Sequence, residues 1–171
     1  MSQPTKLPPT AETFRKALSH FATGVTVVTV ADGRGHVHGM TANSFTSVSL
    51  EPLLVLVCVN RKARTHSLLH AQKRFGINIL GQHQEELAKY FTQVEQDREA
   101  AKRLGVRFGH TERGTPVLEG TLAQFDCKLV STSDGGDHTI FIGEVEHIET
   151  IEGCPLIFHR GGYRRLPKDK L

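Results

Sequence analysis

The spacing of apolar and polar residues changes several times along this chain, and each change marks a predicted element. After Thr10, a favourable N-cap, Ala11, Phe14, Ala17, Leu18 and Phe21 recur at helical spacing, which predicts an amphipathic helix that ends near Gly24 and covers a sheet. From residue 25 the pattern becomes VTVVTV, rich in β-branched residues, and stops at Asp32-Gly33. That pair is a two-residue hairpin signal, after which residues 36–40 return as a second strand. Residues 41–49 are small and hydroxyl-rich, whereas residues 53–59 (LLVLVCV) are an unbroken apolar run between Pro52 and Asn60 and read as a buried strand. A polar ligand surface is thus attached to a core strand.

Beyond Asn60 the segment NRKAR is a polar, basic loop before a short helix at residues 65–71, and residues 75–80 (FGINIL) return to strand. Residues 84–104 are helical in composition, with Leu87, Tyr90, Phe91 and Val94 on one face and a break at Gly105. Residues 122–131, 138–150 and 155–158 are strand-like, the first two joined by an SDGGD turn, and residues 163–166 close the sheet. About six or seven strands with two or three helices predict a mainly β fold, a closed or nearly closed antiparallel barrel with helical covers. Residues 1–9, with Pro4, Pro8 and Pro9, are expected to be a flexible tail, and residues 10–171 a single domain.

Composition narrows the class. The chain has 171 residues, 38% hydrophobic and 23% charged, with a net charge of +3, which suits one soluble domain or one protomer of a dimer. Lys and Arg do not cluster with aromatic residues, which argues against nucleic-acid binding. Cys58, Cys127 and Cys154 are odd in number and widely spaced, as expected of reduced thiols in the cytoplasm. No apolar run approaches the roughly 20 residues of a membrane span.

Several chemistries fail on spacing. Gly33, Gly35 and Gly39 resemble a dinucleotide-binding glycine loop, but His38 stands where the third glycine belongs and a strand follows in place of a helix. His66 and His70 sit four apart with no carboxylate at the HExxH position, so no metal is expected. No GxSxG nucleophile elbow is present. Hydride transfer between two bound cofactors suits such a chain, because the protein then supplies orientation and electrostatics and no nucleophile. The hydroxyls of residues 41–47 suit the edge of a flavin, and Arg61, Lys62, Arg64 and Thr65 suit a terminal phosphate or a solvated loop.

The order FATGVTVVT, GMTANSFTSVSLEPLLVLVCVN, FGINIL, LAKYF and GGDHTIFIGEVEHIE, spread over residues 14–166, resembles the flavin reductase family of the FMN-binding split barrel fold. The resemblance implies a split antiparallel, Greek-key-like β-barrel that forms a homodimer, binds FMN or FAD, and accepts a hydride from NADH or NADPH. It implies delivery of reduced flavin to a separate monooxygenase. By the same resemblance Thr41, Ala42, Asn43, Ser44 and Phe45 border the isoalloxazine and ribityl chain, with Ser47 toward the phosphate. Cys58, Val59, Asn60, Lys62 and Thr65 complete the flavin and phosphate contacts, while Phe75 and Asn78 read first as core. His138 would lie beside the flavin where the nicotinamide stacks, as the catalytic residue, and Arg160 and Tyr163 would contact the nicotinamide nucleotide. Other readings are a reductase of corrinoid cobalt or ferric chelates, a flavin-binding module without turnover, and a relative of pyridoxine phosphate oxidase.

Overall fold

The computed structural model describes residues 6–166. In chain order its elements are α1 (Ala11–Leu18), β1 (Thr23–Gly24), β2 (Thr26–Ala31), β3 (Val37–Ala42), β4 (Phe45–Leu50), β5 (Leu53–Asn60), α2 (Arg64–Gln72) and β6 (Arg74–Ile79). Then follow α3 (Glu85–Tyr90), α4 (Arg98–Arg103), β7 (Phe108–His110), β8 (Pro116–Leu118), β9 (Ala123–Gly135), β10 (His138–Thr150), β11 (Ile157–His159) and β12 (Gly162–Arg164). Positions 1–5 of the expected tail and the last five residues of the expected domain lie outside the described residues. Among the described residues no helix is long and apolar enough to cross a membrane.

A seven-stranded antiparallel sheet runs in the order β3-β2-β6-β9-β10-β5-β4. Its edge strands, β3 and β4, are separated in sequence only by Asn43 and Ser44. At about 3.5 Å of reach per residue those edges stand no more than roughly 11 Å apart at that junction. A sheet this wide with joined edges has to curl, and the result is the expected split antiparallel barrel. The edge of β3 is covered from outside: Thr41 N–H donates to Phe91 O at 3.0 Å and Gln96 Nε2 donates to Gly39 O at 2.5 Å. Gly39 permits this cover, because a Cβ there would stand 2.5 Å from the Phe91 ring.

The core explains the sequence pattern. β2 is buried on both faces, with Val28 and Val30 inside the barrel and Val25 and Val27 under Tyr90, Phe91 and Leu118, so its apolar residues do not alternate with polar surface. β5 differs from expectation. Only Val55, Val57 and Val59 enter the core, while Leu54, Leu56 and Cys58 lie half-buried on the outer face beside Ile140 and Ile142 of β10.

Other expectations are corrected. The connection at Asp32-Gly33 is a five-residue loop, because Ala31 pairs with Val37 and the Asp32 carboxylate accepts from Arg34 N and His36 N. Residues 84–104 are two short helices, divided where Asp97 caps α4 through Ala100 N, and Val94 is exposed rather than on a buried face. Residues 45–50, for which no strand was expected, form an edge strand paired with β5. α1 forms with a Thr10–Thr13 capping box but buries none of its own residues, so it does not cover the barrel within one chain.

Candidate functional site

His138 begins β10 and pairs directly with Asn60, the last residue of β5. It follows a two-residue turn, Gly136-Asp137, in which Gly136 takes a φ of 71° that suits glycine. The side chain is partly exposed, and Nδ1 lies 2.8 Å from Asp137 Oδ1. That bond, with the charge of His138, holds the Asp137 carboxyl below its ordinary pKa. It also orients the imidazole, leaving Nε2 for whatever meets the ring.

Arg61 turns away from the phosphate role expected of its loop. Its N–H donates to Asp137 O at 3.0 Å, its guanidinium to Asp134 Oδ1 at 2.8 Å, and its Nε stands 3.5 Å from His138 O. It is a clamp on the turn that carries His138. Lys62 is exposed beside it, and Lys62 N–H donates to Asn60 Oδ1 at 2.9 Å. α2 then starts at Arg64 with Ala63 as N-cap and no side chain capping it. An uncapped helix start beside an exposed lysine suits a phosphate.

The other expected residues divide into those facing outward and those serving the barrel. Asn43 and Ser47 are exposed. Ser44 Oγ donates to Cys58 O at 2.9 Å and accepts from Cys58 N–H at 3.3 Å, so this hydroxyl extends the β4–β5 ladder by one step. Thr41 Oγ1 donates to Ala88 O at 2.7 Å, and Ala42 is buried with its carbonyl taken by Thr26. Phe45 packs on Phe125 with ring centroids 6.0 Å apart. The Val59 side chain is in the core. Thr65 is 1% exposed, and its Oγ1 lies 3.0 Å from His38 Nε2 rather than toward Lys62. Phe75 and Asn78 are fully buried, Asn78 bonding Val27 O and Leu118 N.

Tyr163 and Thr41–Asn43, far apart in sequence, meet. With Phe158 and Thr92 they line a cavity of about 190 Å³. Tyr163 packs edge-on against Phe158 with centroids 5.5 Å apart. Arg160 does not join them. Its N–H donates to Ser19 O and its guanidinium lies 3.3 Å from His20 Nδ1, which ties the β11–β12 turn to the end of α1. The sequence reading missed Phe158, Thr92, His38 and the clamping role of Arg61. Each depends on contacts across the fold that no local pattern announces.

The arrangement fits a flavin on its own terms: an uncapped helix start with an exposed lysine for phosphate, a polar strip at the barrel's split, and an oriented histidine at the same end of β5. A family model described as the flavin reductase like domain matches residues 18–167. The chain belongs to the flavin reductase family. It is 43% identical over 156 residues to an NADH-dependent flavin reductase from Rhodococcus sp, covering 89% of this chain and 84% of that protein. It is 37% identical over 161 residues to the flavin-dependent monooxygenase reductase subunit HsaB of Mycobacterium tuberculosis, covering 92% and 83%. Its fold matches the Streptomyces globisporus C-1027 NADH:FAD oxidoreductase SgcE6, solved with NAD and FAD fragments, at a TM-score of 0.86 and 36% identity over 98% of this chain and 99% of that one.

Proposed function

We propose that this chain is an NADH-dependent flavin reductase that hands reduced flavin to a separate monooxygenase. The observation that carries the reading is the meeting of His138, Asn60, Lys62 and the uncapped start of α2 at one end of β5, in a chain of the flavin reductase family. A bound flavin supplies the acceptor for the hydride of the reduced nicotinamide. The protein's task is to hold the two rings together and exclude alternatives. Lys62 and the first N–H groups of α2 bind the flavin phosphate, and Asn43, Ser47 and the backbone around Ser44 and Cys58 border the flavin itself. His138, oriented by Asp137, holds the nicotinamide and offsets the negative charge that develops on the acceptor. Tyr163 closes the groove at the nicotinamide side.

The reading includes a homodimer of this single flavin-binding unit in the cytoplasm. Its support is α1 and the turn that follows it, where Phe14 and Leu18 of the helix and Phe21 of the turn are 63%, 53% and 74% exposed. An eight-residue helix is marginal alone and gains stability by burying its apolar face, for which a second copy offers the surface.

The test is NADH and NADPH oxidation by purified protein with FMN and with FAD, for the wild type and His138→Ala. The variant is expected to lose turnover more than flavin affinity. Equal loss of both, or loss of neither, removes His138 from the role given to it, and a wild type that binds flavin without oxidising either donor removes the reductase reading.

A further inference from the structure

His138 is held from two sides by the segment that runs from the end of β5 into α2. On the side of the turn, Arg61 binds Asp137 O and Asp134 Oδ1. On the side of the strand, the next residue of β10, Thr139, is 6% exposed, and its Oγ1 lies 2.9 Å from His66 Nε2 on the first turn of α2. A buried hydroxyl needs a partner, and His66 supplies it. Thr139 and Phe141 pair with Val59 and Val57, whose side chains are in the core. Side chains alternate along a strand, so His138 projects from the opposite face of the sheet. A hold on Thr139 from inside therefore fixes the backbone from which His138 reaches outward.

Packing supports the same link. The His66 and His70 rings meet with centroids 4.7 Å apart, and both stand edge-on to Phe141 of β10, at 5.4 and 5.0 Å. Phe141 is fully buried, so this face of α2 rests on a fixed part of β10. Burial first, then the charges of His70 and Arg61, lowers the His66 pKa and favours the neutral ring. The contact to Thr139 is thus a bond between two uncharged groups, which orients without adding charge to the site.

We infer that His66 is a positioning residue for hydride transfer: its bond to Thr139 sets the place of His138 relative to the start of α2. The inference rests on the reductase reading above, in which α2 anchors the flavin through its phosphate and His138 anchors the nicotinamide. The two anchors then belong to different elements, and the rings they hold must meet within a narrow range of distance. His66 ties one element to the other directly. It acts through Thr139 and not on either ligand, so its loss changes how well the two rings meet more than how tightly the flavin is held.

The experiment compares the wild type with Thr139→Val, His66→Ala, His66→Gln and the double variant Thr139→Val/His66→Ala, after thermal melts establish that each folds. Anaerobic stopped-flow follows reduction of FMN by NADH, and titration gives FMN affinity. Thr139→Val keeps the shape of the side chain and removes its oxygen; flavin reduction is expected to slow roughly tenfold, with FMN affinity within about twofold of the wild type. His66→Ala should lose a similar factor and melt lower, because its packing on Phe141 goes too. His66→Gln, whose amide reaches toward the position of Nε2, should recover most of the rate. Both single variants break one contact, so the double variant should be no slower than His66→Ala alone. A wild-type rate in Thr139→Val, losses that multiply in the double variant, or a Gln variant no faster than Ala overturns the assignment. The histidine Cε1–H NMR signals give a readout free of turnover: Thr139→Val should move those of His66 and His138 and leave that of His110 in place. A His138 signal that stays where it was overturns the assignment as well. A wild type that oxidises no NADH refutes the reductase reading, and the NMR comparison still decides whether His66 sets the place of His138.

Discussion

Replacing Arg61 by Ala separates positioning from stability. The variant keeps the backbone bond from residue 61 to Asp137 O and loses the guanidinium contacts to Asp134 Oδ1 and His138 O. The Arg61 and Asp134 side chains are 45% and 90% exposed, so solvent screens the pair and its net worth is at most about 1 kcal/mol. The contact to His138 O, at 3.5 Å, is at the outer limit of a hydrogen bond and adds less. A chain of this size should therefore melt no more than about 2–4 °C lower. The turn, however, is exposed from residue 131 to residue 137 and has few other restraints. Misplacing a reacting group by about 1 Å can cost on the order of a hundredfold. With the strand pairing to β5 intact, a loss of roughly tenfold in kcat/KM for NADH is expected, with flavin affinity within about twofold. Anaerobic stopped-flow reduction of the flavin measures the rate, and Arg61→Lys should recover part of it. An unchanged reduction rate, or a fall matched by equal losses of flavin affinity and melting temperature, would refute the clamp.

Two further outcomes concern the fold and the assembly. Asp126 is fully buried and accepts from Thr111, Thr115 and Arg74, so Asp126→Ala should cost about 3 kcal/mol in urea unfolding. Burial alone would raise the Asp126 pKa, but these hydrogen bonds outweigh it and bring it below 3.8. The unfolded chain thus binds the proton first, and the wild type should lose this stabilisation as pH falls below about 4, with a flatter acid limb in the variant; a parallel limb would refute the assignment. Phe14→Glu/Phe21→Glu should yield monomers by light scattering at micromolar concentration, and a wild type that is itself monomeric there would refute the dimer.

The fold was legible where burial and local preference agree. VTVVTV and LLVLVCV are rich in β-branched residues, and β2 and β5 each lie one strand in from an edge of the sheet with their valines in the core. β4 escaped because an edge strand with exposed Thr46, Ser47 and Val48 has no buried alternation to reveal it, and a register shift between Ser47 and Ser49 breaks the pattern further. The division of residues 84–104 was carried by one cap, Asp97, inside a stretch whose composition is helical on both sides. Asp32 misled in the opposite direction: the Asp-Gly pair signals a tight turn, yet its carboxylate organises a five-residue loop by binding Arg34 and His36.

At the candidate site, motif order pointed to one part of the chain but could not say what each hydroxyl does. A split barrel interrupts its ladder where β3 passes to β4, and backbone groups exposed by that interruption need partners. Ser44 supplies them to Cys58, while the Thr41 hydroxyl binds Ala88 and its N–H binds Phe91. The hydroxyl-rich composition of residues 41–47 is therefore first a requirement of the split. Those bonds hold Asn43 and the adjoining backbone at the opening between the two edges, beside the cavity shared with Phe158 and Tyr163. Removing the Ser44 or Thr41 hydroxyl would disturb the surface offered to a ligand even if neither oxygen touched it. In this part of the chain the groups that close the barrel and the groups proposed to border the flavin are neighbours in sequence because one interruption in the sheet creates both needs.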